Sequence, residues 1–288
     1  NGNNGNLGII TDPWRDIQYA IDQAQDGDII HIAAGTYVEN INYSGKDISI
    51  IGEDRETTII DGNQSGRVVY IADIDGSAKL QSLTIENGIG EWCDCVGGEA
   101  GGGIFVDAYG DIVLDDLKIH NNNGVVYGGG IYASNNGLRI TNSLIHGNSS
   151  EDGGGVYIQN SSDIVLKNNL IYQNAANEGG GLSMQACLNA KIDNNTITNN
   201  QSHGLHLGVN STINIMESVL HENSNHEIWF RPNNGTENSL TIEYSSVDHG
   251  QDSIETNSHG TLTWGQGNII VAPMFVDAEN NNFNLLSS

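Results

Sequence analysis

GGGIYASNNGLRITNSLIHGN (residues 128–148) is followed by GGGVYIQNSSDIVLKNNLIYQN (153–174) and GGGLSMQACLNAKIDNNTITNN (179–200). Read one above another, these stretches set the architecture. A triple glycine followed by an apolar residue begins at Gly101, Gly128, Gly153 and Gly179, at intervals of 27, 25 and 26. A second marker, Ile/Leu-x-x-Asn, ends at Asn122, Asn148, Asn174, Asn200 and Asn223, at intervals of 26, 26, 26 and 23. A third series of alternating segments centres on Leu80, Leu114, Ile140, Leu166, Ile192, Ile215 and Ile242. Three unrelated markers with one period define a repeat protein.

Within each repeat, two or three segments of strict apolar/polar alternation are separated by Gly, Asn, Ser and Asp, the pattern of short strands joined by turns. A single coil of such strands cannot bury its own apolar side, but stacked coils enclose a continuous core at ~4.8 Å per coil. About nine or ten coils would make a rod ~45 Å long. The Asn column is expected inside, its amides pairing up and down the stack, with Asn also suited to a left-handed bend at the corner. Replacing Asn148 or Asn174 by Leu is expected to cost about 1–3 kcal/mol. The glycines permit positive φ and close approach of coils. Residues Asp12–Ala24 read as an amphipathic helix with Asp12 as N-cap, Pro13 in the first turn and Gly27 beyond the end, placed to cover the open apolar end of the stack.

The stretch IQYAIDQAQDGDIIHIAAG (17–35) with TYVE (36–39) resembles the entry into pectin-lyase-like β-helix proteins. The Gly-Gly-Gly-Ile-Tyr and Ile-x-x-Asn units are similar to repeats of polymorphic outer-membrane proteins and related secreted bacterial β-helices. Pro273-Met274-Phe275-Val276-Asp277 through Asn284-Leu285 is similar to the ends of such arrays. The resemblance spans about Asp12 to Leu285. It implies an all-β chain, a right-handed parallel β-helix with a short N-terminal capping helix. Residues 1–35 would form the cap helix and first strand, and 36–288 the coils of a single domain. It implies no single activity, since such folds carry lyases, hydrolases, adhesins and structural rods.

Composition narrows the partners. Ten Lys+Arg stand against 36 Asp+Glu, a net charge of −26. No row of phosphates can be neutralised by such a surface, so nucleic acid is excluded, and anionic membranes are disfavoured. An acidic polysaccharide would need bridging Ca²⁺ or a local basic cluster, while the acidity itself serves solubility. No run of about 20 apolar residues is present, no signal peptide is visible, and Asn1 reads as a trimmed end. A secreted or cell-surface, bacterial protein is expected. Cys93, Cys95 and Cys187 make no disulfide framework. A Cys93–Cys95 bridge would be strained, so free or incidentally oxidised thiols are expected.

Alternation divides the strand after the glycines. Ile104/Val106, Ile131/Ala133, Val156/Ile158, Leu182/Met184, Leu205/Leu207 and Ile228/Phe230 point in. Phe105, Tyr132, Tyr157, Ser183, His206 and Trp229 then point out, as a largely aromatic stripe. It is either a stacking surface for sugar or protein, or packed beneath a loop. Asp107, Ser134, Gln159, Gln185 and Arg231 offer polar groups beside it. Phe105, Tyr132, Tyr157, His206, Trp229, Gln159 and Gln185 are therefore the candidate ligand-binding residues. On this reading Tyr132 and Tyr157 can be lost together with little change in stability.

Lys79, Arg139 and Lys191 share one column of another face, and Asp115, Lys167 and Asp193 the next. The resemblance implies a lyase base and Ca²⁺-binding acids of these types, so Arg139, Lys167, Lys191, Asp115 and Asp193 are the candidates should the chain be a lyase. A cross-strand ion-pair ladder is the plainer account. Asp115-Asp116 is similar to the paired aspartates of pectin hydrolases, but no Gly-His-Gly or Arg-x-Lys accompanies it. A third column, Glu86, His120, His146, Tyr172, Thr198 and His221, stacks two histidines. Glu99, Asp152 and Glu178 precede their glycine runs and are candidate Ca²⁺ ligands at coil corners. The sequence thus favours a non-catalytic module for glycan binding, adhesion or extracellular assembly, with a polysaccharide or surface protein as partner and self-association open. Its rival is a Ca²⁺-assisted polysaccharide lyase or another carbohydrate-active enzyme.

Overall fold

The computed structural model describes residues 2–135, 137–232, 237–278 and 282–285. Each repeat folds as one coil of three short strands, and each strand lies parallel to its equivalent one coil away. The result is a β-helix with one ten-stranded and two nine-stranded parallel sheets. The ten-stranded sheet runs from Ile29–Ile32 to Gly260–Trp264. The strands after the triple glycines form the glycine-edge sheet, from Ile41–Asn42 to Ile254–Glu255, and those before the ladder asparagines form the asparagine-edge sheet, from Gly35–Val38 to Ser246–Val247.

Register holds the inward residues in columns. Ile85, Ile119, Ile145, Ile171, Ile197 and Leu220 sit one above another, each fully buried. Each such side chain contributes about 1.5–3 kcal/mol of transfer free energy, and no coil can collect it without its neighbours.

The asparagine ladder is inside as expected. The Nδ2 of Asn122 donates to Oδ1 of Asn148 at 3.0 Å, Asn148 to Asn174 at 3.0 Å, Asn174 to Asn200 at 3.1 Å and Asn200 to Asn223 at 2.9 Å. Each Oδ1 also accepts the backbone N–H of the asparagine before it, as Asn174 does from Asn148 at 3.1 Å. The left-handed bend falls one residue earlier than expected, on Asn121, Gly147, Gln173, Asn199 and Glu222. The bend turns the next side chain inward, so the ladder residue itself keeps negative φ. The glycines make room for it. A Cβ on Gly103, Gly130, Gly155 or Gly181 would lie 3.0 Å from a ladder Nδ2, and the first glycine of each run is left-handed.

Two further corner columns do the same with mixed residues and had no regular signature. Ser143, Asn169, Asn195, Ser218, Ser245 and Asn268 each accept a backbone N–H from the coil before. Cys187 occupies the third, its N–H bonded to Ser211 Oγ at 3.2 Å and its Sγ 3.4 Å from Ile158 O. It is a free, buried thiol, pushed up to about 12 by burial.

The capping helix is shorter than expected, Ile17–Gln23, with Ile17, Ala20 and Ile21 buried on the end of the core. Asp12 is not its N-cap. Its carboxylate accepts the N–H of Leu7 in a preceding turn. The Glu39 carboxylate, from the first coil, takes the N–H groups of Ile17 and Gln18, both at 2.9 Å. Lys46 Nζ donates to the carbonyls of Ile21 and Asp22 at the other end.

Glu227 ends the asparagine ladder, accepting both the N–H and Nδ2 of Asn223. Burial, with Asp248 and Glu222 nearby, pushes its carboxyl from the usual 4.5 up to about 7. Ionisation therefore works against folding. Stability from this group is full below the unfolded value and falls between pH 4.5 and about 7, by roughly 3 kcal/mol. Glu227→Gln should abolish that component. Melts of the two proteins compared across this window should show wild type losing stability relative to the variant, and parallel curves would refute it.

Candidate functional site

The outward column of the glycine-edge sheet is in the register expected: Phe105, Tyr132, Tyr157, Ser183, His206 and Trp229 occupy successive coils. It is not an exposed stripe. Tyr70, Phe105, Tyr132 and Tyr157 form a continuous ring stack, with centroids 5.3, 4.9 and 5.8 Å apart. Phe105, Tyr132 and Tyr157 are buried, at 0, 0 and 2% exposure. The expanded loop after Glu86 folds back as a hairpin, Glu91–Cys93 against Gly98–Ala100, and packs Cys93, Val96 and Ala100 over the rings, with Tyr127 from the next coil beside them. Arg67 completes the cover, its guanidinium 4.2 Å from the Phe105 centroid and its Nε 3.3 Å from Glu91. Burial also pushes the Tyr132 phenol up to about 12. Cys93 and Cys95, expected as free or incidentally oxidised thiols, are oxidised. They form a disulfide in this hairpin, where the backbone holds their Cα atoms 5.2 Å apart, within bridging range.

Beyond Tyr157 the column changes chemistry. His206 is fully buried, with Nδ1 3.0 Å from Ser183 Oγ and 3.3 Å from Asp152 Oδ1. Its Nε2 lies 3.7 Å from Glu178 Oε2 and has no hydrogen-bond partner among the described residues. Trp229 is half-buried, stacked on His203 at 5.0 Å and tilted against His206 at 5.2 Å.

Asp152 and Glu178 arrive from the coil corner, in the bridge column Ala100, Tyr127, Asp152, Glu178. Of the three acids singled out as Ca²⁺ ligands, these two meet. Glu99 does not, because Ala100 stands between it and Gly101 and takes the equivalent place in the column. Arg231 places its guanidinium 3.3 Å from Glu178 Oε2. Gln159 and Gln185 stand on the next outward column, Gln159 donating to the Tyr132 hydroxyl at 2.8 Å. Together with Tyr127, Tyr157, Glu151 and Asn177 these residues line an open cleft of 350 Å³. Tyr127, and the convergence of His206 on Asp152 and Glu178, were missed in the sequence. The only signal was an acid before each of two glycine runs.

The lyase candidates sit on the ten-stranded sheet and do not converge. Lys79, Arg139 and Lys191 share a column, but Val113 and Val165 stand between them, so the basic groups recur only every second coil. Asp115 is taken up by Thr141 Oγ1 at 2.6 Å, Asn142 Nδ2 at 2.8 Å and Lys79 at 4.0 Å. Lys167 and Asp193 occupy adjacent places in that column, Lys167 exposed and Asp193 half-buried. In the histidine column, His120 and His146 stack at 5.1 Å, and Glu86 lies 3.1 Å from His120 Nε2. Burial and His120 push His146 down to about 4.

Fold and cleft define a solenoid whose polar site lies outside its core, on one sheet and the corner beside it. The chain belongs to the right-handed β-helix region family, whose model matches residues 48–231 and again 102–283. It is a pectin-lyase-like right-handed parallel β-helix. No curated protein matches it in sequence. Among solved structures, the complex of XylC with xylose is similar, with a TM-score of 0.61 at 10% identity over 93% of this chain. This chain spans 66% of XylC, just under two thirds of its length. Pectate lyase Pel9A is similar with a TM-score of 0.61 at 15% identity, over 97% of this chain and 82% of that one. At such identities the likeness is one of fold.

Proposed function

We propose that this protein is a secreted or cell-surface β-helix that binds a neutral carbohydrate in the cleft between Tyr127 and Arg231, without β-elimination activity. One observation carries the reading. Amide, carboxylate and guanidinium groups of Gln159, Gln185, Glu178 and Arg231 face one open cleft, beside the tyrosine edges. Successive coils present such groups at steps of ~4.8 Å, a scale that suits the hydroxyls of a sugar chain. A net charge of −26 disfavours polyuronates and leaves neutral glycans. XylC, of similar fold, was solved with xylose.

Titration calorimetry with neutral oligosaccharides should detect binding. Gln185→Ala should weaken it by about tenfold, the worth of one or two polar contacts. Polyuronates should give no unsaturated product even with millimolar Ca²⁺, because elimination needs a base at the ring proton and positive charge on the neighbouring carboxylate, and the basic column does not bring the two together. Saturable binding of no glycan, or elimination lost on Arg139→Ala, would refute the reading.

A second reading rests on the two carboxylates. One oxygen of Asp152 and one of Glu178 lie within 4.8 Å of each other, close enough to act as the pair that a retaining glycosidase needs. Turnover of aryl glycosides that is lost in Glu178→Gln would convert the binding cleft into a hydrolytic one.

A further inference from the structure

We propose that His206, Glu178 and Asp152 hold one divalent first-row transition-metal ion, of the Zn²⁺ type, at the floor of the cleft. The argument starts from His206. It is fully buried, yet its Nε2 has no hydrogen-bond partner among the described residues and lies 3.7 Å from a Glu178 oxygen. Its other nitrogen faces Ser183 Oγ at 3.0 Å and Asp152 Oδ1 at 3.3 Å. A neutral imidazole has one N–H and one lone pair. With the N–H given to Ser183 Oγ, the lone pair of Nε2 is set against the Glu178 carboxylate. That arrangement asks for a cation between them. Ser183 Oγ on Nδ1 then fixes the tautomer and ring orientation, as the outer hydrogen bond of a ligating histidine does, and leaves the Asp152 carboxylate for the ion.

One donor atom from each of the three residues lies within 4.8 Å of the others. Donors sharing an ion at ~2.0–2.2 Å stand somewhat closer. Glu178, whose side chain is 33% exposed, is free to close that gap, whereas Asp152 and His206 are held by burial. A nitrogen with two carboxylates suits Zn²⁺ and its first-row neighbours, while Ca²⁺ takes six to eight oxygens. The Ca²⁺ expected from the acids alone is thereby replaced by a softer ion. Arg231, 3.3 Å from Glu178, competes for the same carboxylate. Asp152 and Glu178 both line the cleft, so the hydroxyls of a bound sugar would meet an ion held there. That last step rests on the carbohydrate reading. The ion site does not.

The test is calorimetry and thermal melting of the chelator-treated full chain with Zn²⁺, Mn²⁺ or Ca²⁺, in the absence of any glycan. Expected are one saturable Zn²⁺ per chain that raises the melting temperature, and much weaker Ca²⁺. Glu178→Gln, a partly exposed change that leaves the fold intact, should weaken Zn²⁺ by about 100-fold or more, and His206→Gln likewise. Arg231→Met should tighten it severalfold by removing a neighbouring positive charge. Absence of saturable Zn²⁺ binding, affinity unchanged in Glu178→Gln, or Ca²⁺ bound as tightly as Zn²⁺ would each overturn the proposal. A protein that takes Zn²⁺ and no neutral glycan would keep this site and lose the carbohydrate reading.

Discussion

Replacing Tyr132 and Tyr157 together by alanine should cost about 6–8 kcal/mol of stability, enough to unfold the central coils. Each ring is buried, at 0 and 2% exposure, and truncating a buried aromatic costs roughly 3–5 kcal/mol. The two rings stack at 5.8 Å, so their losses couple and the sum falls short of simple addition. The double change also leaves a hole beneath the disulfide hairpin, between Phe105 and Tyr127, and strips Gln159 of its hydroxyl partner. Such a cost approaches the whole 5–15 kcal/mol of a typical domain. The stripe read as exposed predicted almost no change. Denaturant midpoints of Tyr132→Ala, Tyr157→Ala and the pair decide between them, and a loss below about 1 kcal/mol in both single variants would return the rings to the surface.

Asn174→Leu should cost about 2–4 kcal/mol, above the range expected from the sequence, because one amide serves several groups at once. Its Oδ1 is the acceptor for the Asn148 backbone N–H at 3.1 Å and for Asn148 Nδ2 at 3.0 Å. Its Nδ2 donates to Ile145 O at 2.9 Å and to Asn200 Oδ1 at 3.1 Å. Leucine satisfies none of them, water has no access, and the Asn148 N–H is left buried without a partner. Urea unfolding should move to a lower midpoint with an unchanged slope. A midpoint equal to wild type would mean that the ladder is ornament to a corner fixed by glycine alone.

Most of the fold was legible because it is periodic. Alternation at Ile104–Asp107 and its equivalents states which side chains enter the core, and the recurrence of Asn122 to Asn223 states that one corner repeats. The site was legible only in pieces. Asp152, Glu178, His206, Gln159 and Gln185 could each be singled out, but not their meeting. Asp152 and His206 are 54 residues apart, and their contact depends on how corner and strand columns align across coils.

The coil, the stack, the inward columns and the asparagine ladder follow from local patterns, each repeated until only one arrangement buries it. What lies over the outer face follows from contacts between distant segments. The hairpin Glu91–Ala100 and the segment ending at Tyr127 carry no period, and they turn an outward aromatic column into a second buried cluster. Glu39 rather than Asp12 caps the helix for the same reason, the first coil delivering it there. Period-two alternation distinguishes the two sides of a strand. Whether the outer side meets water depends on non-repeating segments, whose place is set by contacts far apart in the chain.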